Sequence, residues 1–128
     1  IAFSVIKSSS KLIVNFLKHR HLSVTMKPVL ILSTYPDKKS ISKIAKNLVK
    51  TKIVACVNIS KIDSVYSWND KIQNSAEYIA IFKTVTKNKS KLKKKIAETH
   101  PYDVPEIAEI DVTSINKPYL NWLIESTN

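Results

Sequence analysis

The sequence contains no glycine. A soluble chain of 128 residues carries several at the usual frequency of about 7%, and the lack removes whole function classes. The Walker A phosphate loop, the dinucleotide fingerprint and the glycine-flanked nucleophile elbow each need backbone that closes on a ligand or bends to positive φ. None can be built here. Cysteine is almost missing too. Cys56 stands alone, which rules out an internal disulfide and a CxxC metal knuckle and points to a reducing, cytoplasmic compartment. No apolar run approaches the roughly 20 residues of a membrane-crossing helix, so no membrane partner is expected. Acid is scarce at the start. The first carboxylate is Asp37, after Lys7, Lys11, Lys18, Arg20 and Lys27. The net charge of +11 reads as a solvated lysine-rich surface in preference to a nucleic-acid or anionic-membrane surface.

Residues 1–25 are rich in Ser and Lys, with an apolar cluster at Leu12, Ile13, Val14, Phe16 and Leu17. The only methionine, Met26, directly precedes well-patterned sequence. The expected organisation is a tail or leader over 1–25, disordered or weakly attached, and one domain over 26–128.

The run Val29-Leu30-Ile31-Leu32 reads as a central strand covered on both sides. Tyr35-Pro36-Asp37 breaks it, and Asp37 can cap a helix whose apolar residues Ile41, Ile44, Ala45, Leu48 and Val49 recur at helical spacing. Ile53, Ala55, Val57 and Ile59 alternate with Val54, Cys56 and Asn58 in a second strand, which continues from Ile62 to Trp68 after a kink near Lys61. Asn69-Asp70 supplies a hairpin turn, since these two residues tolerate φ > 0 best after glycine. The return strand over 76–85 puts Tyr78, Ala80 and Phe82 on one face and Ile79 and Ile81 on the other. A lysine-dense helix over 88–99 is anchored only by Leu92 and Ile96. Pro101 and Pro105 enclose an extended loop, a last long strand runs from Glu106 to Val112, and Pro118 opens a short helix through Trp122 to Ile124.

This order predicts an α+β fold of the ferredoxin-like type: a split βαβ sandwich with a four-stranded antiparallel sheet, helices on one face and a short C-terminal helix. Tyr66, Trp68, Tyr78 and Phe82 would then be more aromatic surface than a monomer leaves in water, so a self-associating sheet is expected.

Five segments carry a family resemblance: Ala55-Cys56-Val57-Asn58, Tyr66 to Ile72 (YSWNDKI), Lys83-Thr84, His100 to Ile107 (HPYDVPEI), and Tyr119-Leu120-Asn121-Trp122. In order and spacing the chain resembles the CutA divalent-cation tolerance family from about Pro28 to Ile124, with its C-terminal part most similar to archaeal members. The resemblance implies a homotrimer with pockets between subunits, which binds copper or another divalent ion. The family's usual Asn-Gly or Glu-Gly hairpin is Asn69-Asp70 here, so a reshaped turn is expected. Some members carry an extra sulfur or imidazole where this chain has the hydroxyls Ser33 and Thr99, which argues for weak metal binding.

His100, Glu106 and Asp103 are the candidate metal ligands. Imidazole and carboxylate on a proline-braced loop suit a borderline cation such as Cu2+, completed across a trimer interface. The competing reading of His100 is a rigid bracket near a helix C-terminus. Tyr66, Trp68, Lys71, Lys83, Tyr102 and Cys56 are the candidate ligand-pocket residues, although Cys56 alone reads as a buried, inert thiol, and Tyr119 and Trp122 read as packing anchors. No nucleophile–base pair is discernible, so an enzyme is not expected, nor an organic cofactor. The leading function is divalent-metal tolerance, homeostasis or signalling. The alternative is a PII-like trimeric sensor of an anionic small molecule. A third reading is a nucleic-acid-binding module using the lysine-rich second helix (Lys87, Lys89, Lys91, Lys93, Lys94, Lys95). It is not expected, because that helix lacks interleaved aromatics and the central strands lack the aromatic pattern of a ferredoxin-like RNA binder.

Overall fold

The computed structural model of the protein describes residues 26–128. The leader expected over 1–25 lies outside them. Asp37 opens helix α1 (Lys38–Lys50) as anticipated, its carboxylate accepting from the Ser40 backbone N–H at 2.7 Å. The helix buries Ile41, Ala45 and Leu48, the stripe that helical spacing demands. It ends in a Schellman arrangement. The Ile53 N–H donates to the Leu48 carbonyl at 3.0 Å and the Lys52 N–H to the Val49 carbonyl at 3.1 Å. Lys52 takes φ 61° at the position where glycine is usual.

Strand β1 (Pro28–Tyr35) lies between β3 (Lys71–Val85) and β4 (Ala108–Asp111), and β2 (Cys56–Trp68) forms the far edge, giving the order β2-β3-β1-β4. Every pairing is antiparallel. Two βαβ units interleave so that each skips one strand, which is the ferredoxin-like sandwich. Helix α2 (Lys89–Thr99), after a 3-10 turn over Thr86–Asn88, covers the same sheet face as α1 and contributes Leu92 and Ile96 to the core. Together these helices press on Val29, Ile31, Tyr35, Ala80 and Phe82. Each such large side chain stabilises the fold by about 1.5–3 kcal/mol on full burial.

Four expectations change. Within one chain the run at residues 29–32 is covered on one side only: β1 alternates between buried Val29, Ile31, Ser33 and Tyr35 and half-buried Leu30, Leu32 and Thr34. The second strand begins at Cys56 and not at Ile53, and Ile53, Val54 and Ala55 are all buried ahead of it instead of alternating. The last strand is four residues long, because the chain before Ala108 turns away from the sheet, with Ile107 packed against the core. Tyr78 and Phe82 need no partner sheet; both belong to the helix-covered face, with Phe82 fully buried.

The open face carries Leu30, Leu32, Ile79, Ile81 and Ile110, set there by strand alternation and register. Helix α3 (Lys117–Ser126), with Pro118 in its first turn, closes the end of the sheet by packing Leu123 and Ile124 on Ala55 and Val85. Tyr119 and Trp122 sit with ring centroids 5.3 Å apart in this second cluster, the anchoring role expected of them.

Candidate cation cavity

The β2–β3 hairpin pairs Trp68 with Lys71 across its tip. Asn69 and Asp70 take φ 51° and 60°, the left-handed pair that a two-residue type I′ turn requires. Alternation then places Tyr66, Trp68, Gln73, Ser75 and Glu77 on the open face, beyond the end of β1. The loop after α2 swings Tyr102, Asp103, Val104 and Glu106 to meet them around a cavity of about 790 Å3, with Thr34 at its base. Tyr102 Oη donates to Glu77 Oε2 at 2.7 Å and ties loop to hairpin. Burial raises the Tyr102 phenol well above its usual value, reinforced by the Glu77 hydrogen bond and charge and, more weakly, by Tyr66 and Asp37. Glu77, Asp103 and Glu106 make this cavity locally acidic although the chain is cationic. No lysine or arginine lines the cavity among the described residues.

His100 caps α2 and sits behind the loop as a bracket. The Tyr102 backbone N–H donates to Nδ1 at 3.1 Å, and Nε2 lies 3.0 Å from Ser33 Oγ. A nitrogen that accepts from a backbone N–H carries no proton, so the ring hydrogen belongs on Nε2 and points to Ser33. The ring stacks on Tyr35 at 4.2 Å and leans on Tyr102 at 5.2 Å. Burial lowers its pKa below 6.5, with a hydrogen bond to the Thr34 backbone opposing, so the neutral ring is the resting form. Burial likewise pushes the Tyr35 phenol up to about 12, with Ser33 opposing. The Ser33–His100 contact has the wrong tautomer for nucleophile activation: Nε2 donates where a general base must accept.

The cavity therefore gathers Asp103 and Glu106 of the expected metal set and Tyr66, Trp68 and Tyr102 of the expected pocket. His100 does not join Asp103 and Glu106 in a ligand cluster within one chain, because both ring nitrogens are committed to Ser33 and Tyr102. Among the described residues no three His, Cys, Asp or Glu side chains gather to hold a metal ion. Lys71 is exposed at the hairpin tip and does not line the cavity. Cys56 and Lys83 pair with each other at the opposite end of the sheet, roughly 40 Å along β2 from Trp68 at 3.3 Å per residue. Cys56 is half-buried rather than buried, and Lys83 Nζ sits 5.7 Å above the Tyr119 ring. Glu77 was missed by sequence reasoning. Its signal was the polar alternation Gln73, Ser75, Glu77 that continues the face of Ile79 and Ile81.

Fold and site together define a ferredoxin-like α+β domain with an acidic, aromatic cavity beyond the end of its sheet. A profile described as CutA1 divalent ion tolerance protein matches residues 29–126. The divalent-cation tolerance protein CutA of Pyrococcus horikoshii is 42% identical over 99 residues, covering 77% of this chain and 97% of that one. Protein CutA, chloroplastic, of Arabidopsis thaliana is 34% identical over 132 residues, 98% of this chain and 72% of its own. The crystal structure of CutA1 from Oryza sativa superimposes with a TM-score of 0.76 at 36% identity, over 83% of this chain and 98% of that chain. The chain belongs to the CutA1 divalent ion tolerance protein family.

Proposed function

We propose that this protein binds divalent cations weakly, through Glu106 and Asp103 with Glu77 beside them, as a non-catalytic homotrimer acting in metal tolerance. The observation that carries the reading is the charge of the cavity: Glu77, Asp103 and Glu106 line it, and among the described residues no lysine or arginine does, in a chain of net charge +11. Carboxylate oxygens alone favour hard cations, whereas Cu2+ prefers imidazole or thiolate. Within one chain His100 is engaged, Cys56 is remote and the carboxylates do not converge as a set of three among the described residues, so the cavity suits a weak, largely hydrated oxygen-donor site better than tight copper binding. A neighbouring subunit would have to complete a copper site. The PII-like alternative has less support here, since an anion would face three carboxylates. A cytoplasmic placement, resting on the lone thiol, belongs to the same proposal.

Calorimetric titration of the assembled protein with Mg2+, Zn2+ and Cu2+ tests the reading. Glu106→Gln should weaken binding of each ion several-fold. His100→Ala should lower the thermal midpoint while leaving Mg2+ affinity unchanged. Metal affinities in Glu106→Gln equal to wild type would remove the cavity from the metal function.

A further inference from the structure

Charge is segregated along this fold. The segments that build the helical layer, residues 38–52 and 86–99, contain twelve lysines and one carboxylate, Glu98. The hairpin and loop around the cavity, residues 61–77 and 101–106, contain two lysines and five carboxylates. Of the twelve, only Lys89, Lys93 and Lys94 have a carboxylate within 4.0 Å among the described residues.

Beyond the pairs that Lys89 and Lys93 make with Glu109 and Lys94 with Glu98, the fold gains little from this arrangement. The inward stripes are Ile41, Ala45 and Leu48 on α1 and Leu92 and Ile96 on α2, so the lysines do not build the core. Lys89 and Lys93, Lys91 and Lys95, and Lys46 and Lys50 repel one another at i,i+4. Neither helix has an acidic residue in its first turn, where the dipole favours one. Lys38, Lys39, Lys89 and Lys91 stand there instead. Lys43 and Lys95 flank a groove of about 390 Å3 between the two helices, with Asn47 and no carboxylate in its lining.

We propose that the α1–α2 face binds double-stranded nucleic acid through its phosphates, without reading sequence. Neither helix carries an aromatic residue, which excludes stacking on single-stranded bases as the source of affinity. Val49, 43% exposed, is the only large apolar side chain the two helices leave open among the described residues. A bilayer would find no wedge here, and a polybasic patch without a second anchor holds a membrane weakly. Phosphate neutralisation needs only lysines on a rigid support. Lys43 on one helix and Lys95 on the other stand on the two sides of the groove between the helices, so lysines from two separate supports are offered to the two phosphate strands of a duplex. The missing aromatic pattern of the strands excludes base recognition on the sheet and leaves this helical face untouched. The inference stands apart from the cation reading, since the two surfaces share no residue.

Fluorescence anisotropy of the full chain with a labelled duplex of random sequence, in KCl raised from about 50 to 200 mM, tests it. The expected result is saturable binding at low salt, with a dissociation constant around 10⁻⁶–10⁻⁴ M that weakens steeply with salt. The combined change Lys91→Gln, Lys94→Gln and Lys95→Gln should weaken binding about ten-fold and lower the salt slope by about one per lysine. Removing equal charge elsewhere, with Lys27→Gln, Lys61→Gln and Lys117→Gln, should leave the affinity within two-fold, about the scatter between measurements. Melting curves by circular dichroism establish that both variants fold. Equal loss in both variants would reduce the effect to net charge and overturn the proposal. So would absence of saturable binding, or tighter binding to phosphatidylserine vesicles than to duplex. Salt-sensitive self-association abolished by the α2 changes would overturn it as well, by assigning the face to the acidic loops of a second copy.

Discussion

His100 illustrates how a residue that reads as a metal ligand becomes a structural bracket once its neighbours are known. Its two ring nitrogens join the end of β1 at Ser33 to the loop at Tyr102, and Tyr35 covers one face of the ring. Protonation would put a hydrogen on Nδ1 and break the bond from the Tyr102 N–H. The folded pKa is lowered by burial, so the unfolded chain binds this proton more readily. The stability contributed by the neutral ring is thus complete above about 6.5, the unfolded value, and is lost as pH falls through the depressed folded value. Wild type should lose thermal stability between pH 7 and 5, and His100→Gln should lose less over the same interval. Parallel curves for the two proteins would show that His100 does not couple to folding. Proximity in sequence pairs His100 with its loop neighbours, whereas Ser33, 67 residues away, is brought near it only by the family resemblance and not as a hydrogen-bond partner. That contact exists only because the sheet puts β1 beside the loop. The same long-range step hid Glu77, which meets Tyr102 across 25 residues.

At the scale of elements, the lack of glycine has a measurable cost. Lys52, Asn69 and Asp70 all hold positive φ with a Cβ attached. An ordinary L-residue pays about 1–2 kcal/mol there, and Asn and Asp less because of their local hydrogen bonding. Lys52 is exposed, and among the described residues its side chain has no ion pair that substitution would remove. Lys52→Gly is therefore expected to stabilise by about 1 kcal/mol, and Asp70→Gly by about half as much, since glycine also loosens the unfolded chain. Thermal melts that fall for both variants would contradict the argument. Helix α1 was legible in sequence because capping at Asp37 and the apolar stripe agree with its final packing. The hairpin was legible because Asn69-Asp70 permits one tight turn. β4 was misjudged: a hydrophobic run from Glu106 to Val112 fits a strand locally, yet β1 accepts partners only between Val29 and Leu32 on that side. Beyond Leu32 the place beside β1 belongs to the loop held by His100, and no local pattern encodes that competition.

For the whole molecule, the open face of the sheet sets the last question. Leu30, Leu32, Ile79 and Ile81 stay half-buried in one chain, Ile110 is 40% exposed, and Trp68 at the hairpin tip is 66% exposed. The hairpin from Lys61 to Glu77 extends past every other strand, paired only with itself except where Tyr78 begins to meet Tyr35. Among the described residues nothing covers these side chains, and burying them against another copy or partner would contribute about 25 cal/mol per Å2 of apolar surface removed from water. The trimer proposed above would bring three such faces together. Ile81 is the most informative probe, because its register neighbours Leu32 and Asn58 lie toward the middle of the open face, away from the cavity and from the basic helices. Light scattering on wild type at micromolar concentration should give three times the protomer mass. Ile81→Lys, which places a charge in that face, should shift the mass toward one protomer while retaining the far-ultraviolet circular dichroism of the fold. A wild type that scatters as a monomer would refute the trimer. A variant that remains trimeric would move the interface off this face, leaving Trp68 and the hairpin as the surface that associates.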